Sequence, residues 1–316
     1  MTGHVPVPAG RIFELADDAI DAAEGGDLDL CERLASQALD LAEALPGGAE
    51  RDRAMAQALR PRGTAERARG RYAEAGATFE RARAFALPGF GEESLEVAEL
   101  LNDLGMTFKY AGRFADAEHV YQETRRILEV IDADPEDLAA LYHNLGGLAH
   151  IRRDFAAAEE LSRRAIEIRS SALGPRHVAT LLDRSAHAAI LDGLGRHDEA
   201  EASIRDILGD LEAALGADHP EVAVALNNLA AIVQGRGDLP QAEALYRRVI
   251  AIKESRLGPD SPALAVSLNN LGSVLRAAGR PDEALSAFER ALRLLDGEVA
   301  DDHPNLVTIR RNLATG

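Results

Sequence analysis

Asp183, Arg184, Ser185, His187 and Asp192 bring carboxylates, a hydroxyl and an imidazole into one short stretch. These are the side-chain types that acid–base or metal chemistry draws on. With His143 upstream they form the densest set of titratable groups on the inner face that the repeats set out below would line, and His187, His143 and Asp183 are the candidates for a catalytic role on a small molecule or modified peptide. The spacing disfavours a metal. His143 and His150 are seven residues apart, which separates them by about 10 Å on one helix, whereas a zinc ligand sits about 2.1 Å from its ion. No H-x-x-x-H pair puts two imidazoles on adjacent turns. As an acid or base, His187 needs an orienting partner, and the sequence fixes none. A pocket with local specificity is the intermediate reading. There is no G-x-S-x-G elbow, no phosphate loop ending in Gly-Lys-Ser/Thr and no H-E-x-x-H, and Gly235-Arg236-Gly237 follows no strand. No cofactor or metal is expected.

The elements that must position these residues follow from a repeat. EVAVALNNLAAIVQGRGDLPQAEALYRRVIAIKESRLGPDSP, from Glu221, is followed at once by ALAVSLNNLGSVLRAAGRPDEALSAFERALRLLDGEVADDHP, so that Asn228, Asn270 and Asn312 are 42 residues apart. A period of this size marks a solenoid whose units bury their apolar faces only by stacking. The register is set by turns at Gly26-Asp27-Leu28, Gly70-Arg71-Tyr72, Gly112-Arg113-Phe114, Arg153-Asp154-Phe155, Gly195-Arg196-His197, Gly237-Asp238-Leu239 and Gly279-Arg280-Pro281. Five residues past each first position lies a small side chain: Cys31, Ala75, Ala117, Ala158, Ala200, Ala242 and Ala284. The lone cysteine therefore reads as packing, and it excludes an internal disulfide or a cysteine-built zinc site. Between hairpins, LGPDSP and LGADHP carry a helix-ending glycine, a cap and a proline for the first helical position. His219, Ser261 and His303 are expected as caps or connectors.

Residues 1–10 are expected to be disordered and 11–316 to form a single solenoid domain, with hairpins around 11–46, 50–88, 92–131, 135–173, 177–215, 219–257 and 261–297 and a capping helix at 303–315. Pro61 and Arg62 fall where the Asn-Leu of the repeat belongs. Either a kinked helix or a break between two helices would accommodate them.

The pattern NNLG, glycine turn, AExxY and LGPDxP resembles tetratricopeptide repeats, specifically the 42-residue variety found in kinesin light chains and in many bacterial repeat proteins. The resemblance covers nearly the whole chain. It implies an all-α, right-handed superhelical solenoid of about seven hairpins, with the first helix of each lining a concave groove. On that groove one row runs Asp103, Asn144, Ala186, Asn228, Asn270 and Asn312, and its neighbour Asn102, His143, Ser185, Asn227, Asn269 and Arg311. Asparagine is a mediocre helix former, so a row of it in an exposed position implies a compensating gain. One possibility is that the amides grip a peptide backbone, donating and accepting at once, a use that the resemblance also implies. The other is that they bond between repeats and hold the stack in register. A further row, Lys109, His150, Asp192, Gln234 and Arg276, does not repeat and would tune specificity.

With 316 residues and a formal charge of −18, the chain repels phosphate backbones and anionic membranes, and a basic or zwitterionic peptide suits it better than nucleic acid. No apolar run approaches the roughly 20 residues of a membrane span, and the N-terminus lacks the pattern of a secretion signal, so a cytoplasmic protein is the simplest reading. Aromatic residues are 4% and tryptophan is absent, which favours close helix-on-helix packing. The expected function is a protein- or peptide-binding scaffold or adaptor, with a regulatory role implied by the resemblance alone. The competing expectations are an enzyme at the fifth-hairpin cluster and an assembly protein that binds through its outer helices. Ligand identity and oligomeric state are not written in the residues.

Overall fold

The structure, a computed structural model, describes residues 9–315 apart from 298, 300 and 302. Among these the chain is helical with no strand, in the expected arrangement of seven hairpins and a last single helix. The hairpins are α1 (Ala9–Glu24) with α2 (Leu28–Glu43), α3 (Ala49–Ala68) with α4 (Tyr72–Phe90), α5 (Leu95–Tyr110) with α6 (Phe114–Val130), α7 (Pro135–Ile151) with α8 (Phe155–Ala172), α9 (Val178–Gly193) with α10 (His197–Leu215), α11 (Pro220–Gly235) with α12 (Leu239–Leu257), and α13 (Ala265–Ala277) with α14 (Pro281–Leu295). The last helix is α15 (Pro304–Ala314). The expectation of disorder over 1–10 falls, for residues 1–8, outside the described residues, and α1 begins at Ala9. Packing divides the chain into two compact units, Met1–Ala133 with hairpins one to three and Asp134–Gly316 with hairpins four to seven and α15.

Local signals start and stop these helices. Ser94, Asp134 and Ser261 accept backbone N–H groups at the starts of their helices, and so do the imidazoles of His177, His219 and His303 through Nδ1. Each satisfies a donor that the first turn leaves orphaned. Within hairpins the chain reverses through a left-handed residue, glycine in six of seven turns, as at Gly195 with φ 80°. In hairpin four Arg153 holds that conformation, at φ 63°, against the clash that its Cβ creates.

The small-residue row is buried throughout, from Cys31 to Ala284, so the two helices of every hairpin approach at a side chain no larger than cysteine. Cys31 donates to the Pro61 carbonyl at 3.4 Å, and burial pushes its thiol up to about 11. A second close approach sits one turn further on. A Cβ at Gly272 would lie 2.7 Å from the Phe288 ring, and Gly63 and Gly105 face Phe79 and Tyr121 in the same way. Within each unit, first helices of successive hairpins touch: α1 with α3 and α3 with α5 in one, α7, α9, α11, α13 and α15 in sequence in the other. Second helices of successive hairpins meet at most marginally. The first-helix side of each stack is therefore its tighter side.

Pro61 decides between the two readings of hairpin two. Helix α3 runs unbroken through it, so the proline sits in a helix interior and there is no break at Arg60–Gly63.

Replacing Arg153 by glycine removes about 1–2 kcal/mol of left-handed strain, and with it a guanidinium stacked 5.7 Å from the Phe155 ring, worth about 0.5–1 kcal/mol. Arg153→Gly is expected to stabilise the protein by about 1 kcal/mol net, measured as an upward shift of the denaturant midpoint with unchanged m-value.

Candidate functional site

In the second unit the first-helix face is built from α7, α9, α11, α13 and α15, and its polar rows split into two sets. One set bonds between hairpins. Asn228 Nδ2 reaches the Ser185 carbonyl at 3.3 Å and its Oγ at 3.4 Å, and Asn312 Nδ2 reaches Asn269 Oδ1 at 2.8 Å. Arg276 donates to the Asn312 carbonyl at 3.1 Å and to Thr315 Oγ1 at 3.0 Å, fastening α15. Asn144, Ser185 and Asn269 are buried, which corrects the expectation of a uniformly exposed row. The stack closes over these positions because adjacent first helices touch there. The other set stays open. Asn227 and Asn270 make no side-chain hydrogen bond among the described residues, and Asn227 Oδ1 is shielded from water as well. Val224 and Val266, 46% and 37% exposed, lie one turn before them on the same faces. Arg311 is exposed.

The fifth-hairpin cluster separates into unrelated pairs. Asp183, 1% exposed, stands in a row otherwise filled by residues such as Leu141, Ala225 and Ser267. Its Oδ1 accepts from Arg169 of α8 and from His143 Nδ1, each at 2.7 Å, while Oδ2 has no partner among the described residues. Two hairpins later the same rows hold Lys253 and Ser267, where Lys253 Nζ donates to the Ala263 carbonyl at 3.0 Å and Ser267 Oγ at 3.2 Å. Lacking a carboxylate, Lys253 is pushed by burial down to about 8. Glu221 of α11 lies near His143, and burial raises its carboxyl pKa against the pull of that imidazole.

His187 faces elsewhere. Its Nδ1 is 2.7 Å from Ser162 Oγ of α8, and Ser162 donates to the Glu159 carbonyl at 3.2 Å. Ser162 occupies the row of Phe79, Tyr121, Tyr246 and Phe288, and His187 the row of Leu145, Leu229 and Leu271. A hydrogen-bonded pair thus fills the space that an aromatic ring and a leucine fill in other hairpins. His187, His143 and Asp183 do not form one constellation. No group of three His, Cys, Asp or Glu among the described residues is placed to hold a metal ion.

Along the third row, the His150 ring lies 5.6 Å from Phe155, Asp192 Oδ1 accepts from His197 Nδ1 at 2.6 Å, and Gln234 Oε1 accepts from Tyr246 at 3.2 Å.

In the first unit, the face of α3 and α5 carries Arg60, Arg67, Asp103, Asn102 and Lys109. Asp103 is buried and accepts from Arg60 Nε at 2.9 Å and Arg67 at 3.0 Å. Burial pushes its carboxyl up, but the two guanidinium groups outweigh this and hold it below its ordinary value. Asn102 is half-buried and Lys109 buried. Sequence reasoning passed over Arg60 and Arg67, although each lies one 42-residue period before Asn102 and Lys109. It also passed over Val224, Val266 and Glu221, whose burial depends on neighbours that a single helix does not reveal.

The sequence matches the tetratricopeptide repeat pattern over residues 54–129, 137–212, 185–255, 221–297 and 263–315. No curated protein matches it. Among solved structures, Rap protein complexed with Competence and Sporulation Factor shares the fold with a TM-score of 0.73 and 14% identity, over 98% of this chain and 85% of that one. NprR in complex with its cognate peptide NprX follows with a TM-score of 0.65 and 14% identity, over 96% and 82%. BtubC (BKLC) from P. vanneervenii gives a TM-score of 0.50 and 23% identity, over 71% and 89%. No helix among the described residues is long and apolar enough to cross a membrane.

Burial lowers the pKa of His150, His187 and His219 below the ordinary 6.5. The folded state then binds fewer protons than the unfolded chain as pH falls through that value, so stability is full above it and is lost below it. Equilibrium unfolding at pH 7 and pH 5 is expected to show a lower midpoint at pH 5, and His187→Leu is expected to reduce the difference.

Proposed function

The chain belongs to the tetratricopeptide repeat family, and from that premise we propose that it is a binding scaffold that holds an extended peptide or partner segment along the first-helix face of its hairpins. The observation that carries this reading is the contrast between equivalent asparagines. Asn228, Asn269 and Asn312 bond within the stack, whereas Asn227 and Asn270 leave their amides unused beside the exposed Val224 and Val266. A desolvated amide without a partner is costly, and a peptide backbone supplies both the donor and the acceptor it lacks. Two exposed valines on successive helices offer the apolar contact that backbone bonds alone do not. His143, Asn144, His150, Ser185, Asp192, Arg276 and Arg311 lie along this face of the second unit, and Asn102 and Lys109 lie on the first-helix face of the first unit, each face being assigned by itself. Asn144, Ser185, Asn228, Asn269 and Arg276 act mainly by fixing the spacing of the helices that present the others. The regulatory or adaptor role expected from the resemblance belongs to the same reading.

The bound segment is one whose side chains tolerate an acidic host. The formal charge of −18 favours a partner with basic or balanced charge.

Peptides selected from a displayed random library against the purified chain test this. Asn227→Ala with Asn270→Ala is expected to weaken a selected peptide by about 1–3 kcal/mol for each desolvated group that loses its partner, with melting unchanged. Asn228→Ala is expected to lower the melting temperature first. Selection that yields no peptide, or peptides indifferent to the double substitution, overturns the reading.

A further inference from the structure

Of the 35 lysines and arginines in the chain only two are lysines, Lys109 and Lys253. Both are drawn inward, and they differ in what they find there. Lys253 donates two hydrogen bonds, to the Ala263 carbonyl and to Ser267 Oγ. Lys109 is 8% exposed, and its ammonium has no hydrogen-bond or ion-pair partner among the described residues. Its recorded contact is the face of Tyr110, with Nζ 5.3 Å from the ring centroid, and Tyr110 in turn stacks on Tyr72 at 6.1 Å.

On the same face Arg60 and Arg67 both spend their guanidinium groups on Asp103, at 2.9 and 3.0 Å, and Arg60 also on Glu99, at 2.6 Å. Two arginines thus absorb both carboxylates, and Lys109 is left as the surplus cation. Burial, followed by the like charge of Arg67, pushes its amine down to about 8. A buried ammonium is stabilised by an opposite charge or by several acceptors, and one aromatic face offsets only part of the desolvation. An anion arriving from outside would meet a compact donor, a guanidinium near it and an aromatic face. Lysine suits such a place, because its charge is compact and its protonation responds to what binds.

We propose that Lys109, with Arg67 and the Tyr72–Tyr110 pair, forms a subsite for a single oxyanion group, a carboxylate side chain or a phosphoryl group, carried by the segment that the first-helix face binds. The site itself needs only the first unit. That its oxyanion belongs to a peptide rests on the function proposed above.

The two-lysine composition supplies the test. Full-length protein labelled biosynthetically with [ε-13C]lysine gives one lysine signal at Lys109 and one at Lys253, the second serving as internal control. The pH titration is run alone, then with inorganic phosphate, then with blocked peptides carrying glutamate or phosphoserine. The Lys109 midpoint is expected to rise by about one pH unit with phosphate, a tenfold preference for the charged amine, while Lys253 stays in place, and Arg67→Met is expected to reduce the rise. Lysines that move together report screening by salt and overturn the proposal, as does a Lys109 signal that phosphate leaves unmoved. A response to phosphate with none to any peptide retains the oxyanion subsite and removes the peptide-binding reading. A response to phosphoserine peptides alone assigns the phosphoryl group, and one to glutamate peptides assigns the carboxylate.

Discussion

The close approach of two helices at a side chain no larger than cysteine governs everything else in this chain. With Cys31, Ala75, Ala117, Ala158, Ala200, Ala242 and Ala284 all buried, each hairpin is held by dispersion between backbones rather than by interdigitating large side chains. Bulk then has to be placed one turn away, where Gly63, Gly105 and Gly272 admit an aromatic ring from the second helix. A hairpin so thin cannot shield its own leucines. Stacking follows, and the first helices come together on one side of each unit.

Because those helices touch, side chains between them must be satisfied within the stack, and side chains one position away need not be. Which of the two positions is satisfied changes from joint to joint: Asn228 bonds and Asn227 does not, whereas one period on Asn269 bonds and Asn270 does not. A buried charge with a polar partner occurs at alternate joints between hairpins of the second unit. Arg169 with Asp183 and Lys253 with Ser267 occupy the same two rows, and the joint between hairpins five and six places Leu211 and Ala225 there. A polar pair buried in an apolar row adds little net stability. It does penalise any slip of one helix along the next, since the slip would leave the charge unanswered.

The fold was almost fully legible because its signals are local and repeated. A glycine, an alanine five residues later and a proline at the connector recur at a fixed interval, and each has one physical meaning wherever it occurs. His219 and His303 were readable as caps for the same reason. The site was legible only in outline. Periodicity placed Asn227, Asn228, Asn269 and Asn270 on one face, but which amides are consumed depends on the offset between adjacent helices, and no single repeat encodes that. His187 misled for a related reason. A histidine in a leucine row looks like chemistry until Ser162, 25 residues away on another helix, is found in the aromatic row. Compensating pairs of this kind become visible when two rows are compared across the joint between successive hairpins rather than each row along the chain.

In three hairpins the arginine that follows the turn glycine reaches back to a glutamate on the second helix of the hairpin before it: Arg71 to Glu32 at 2.7 Å, Arg196 to Glu159 at 2.6 Å and Arg280 to Glu243 at 2.7 Å. Individually these surface pairs contribute little. In the second unit they fall at alternate joints, hairpin four to five and six to seven, because Asp154 and Asp238 stand where Arg196 and Arg280 do. Within the second unit, two adjacent hairpins duplicated or lost together would leave an arginine facing a glutamate at every such joint. The array can therefore change length in evolution without having to reinvent its joints.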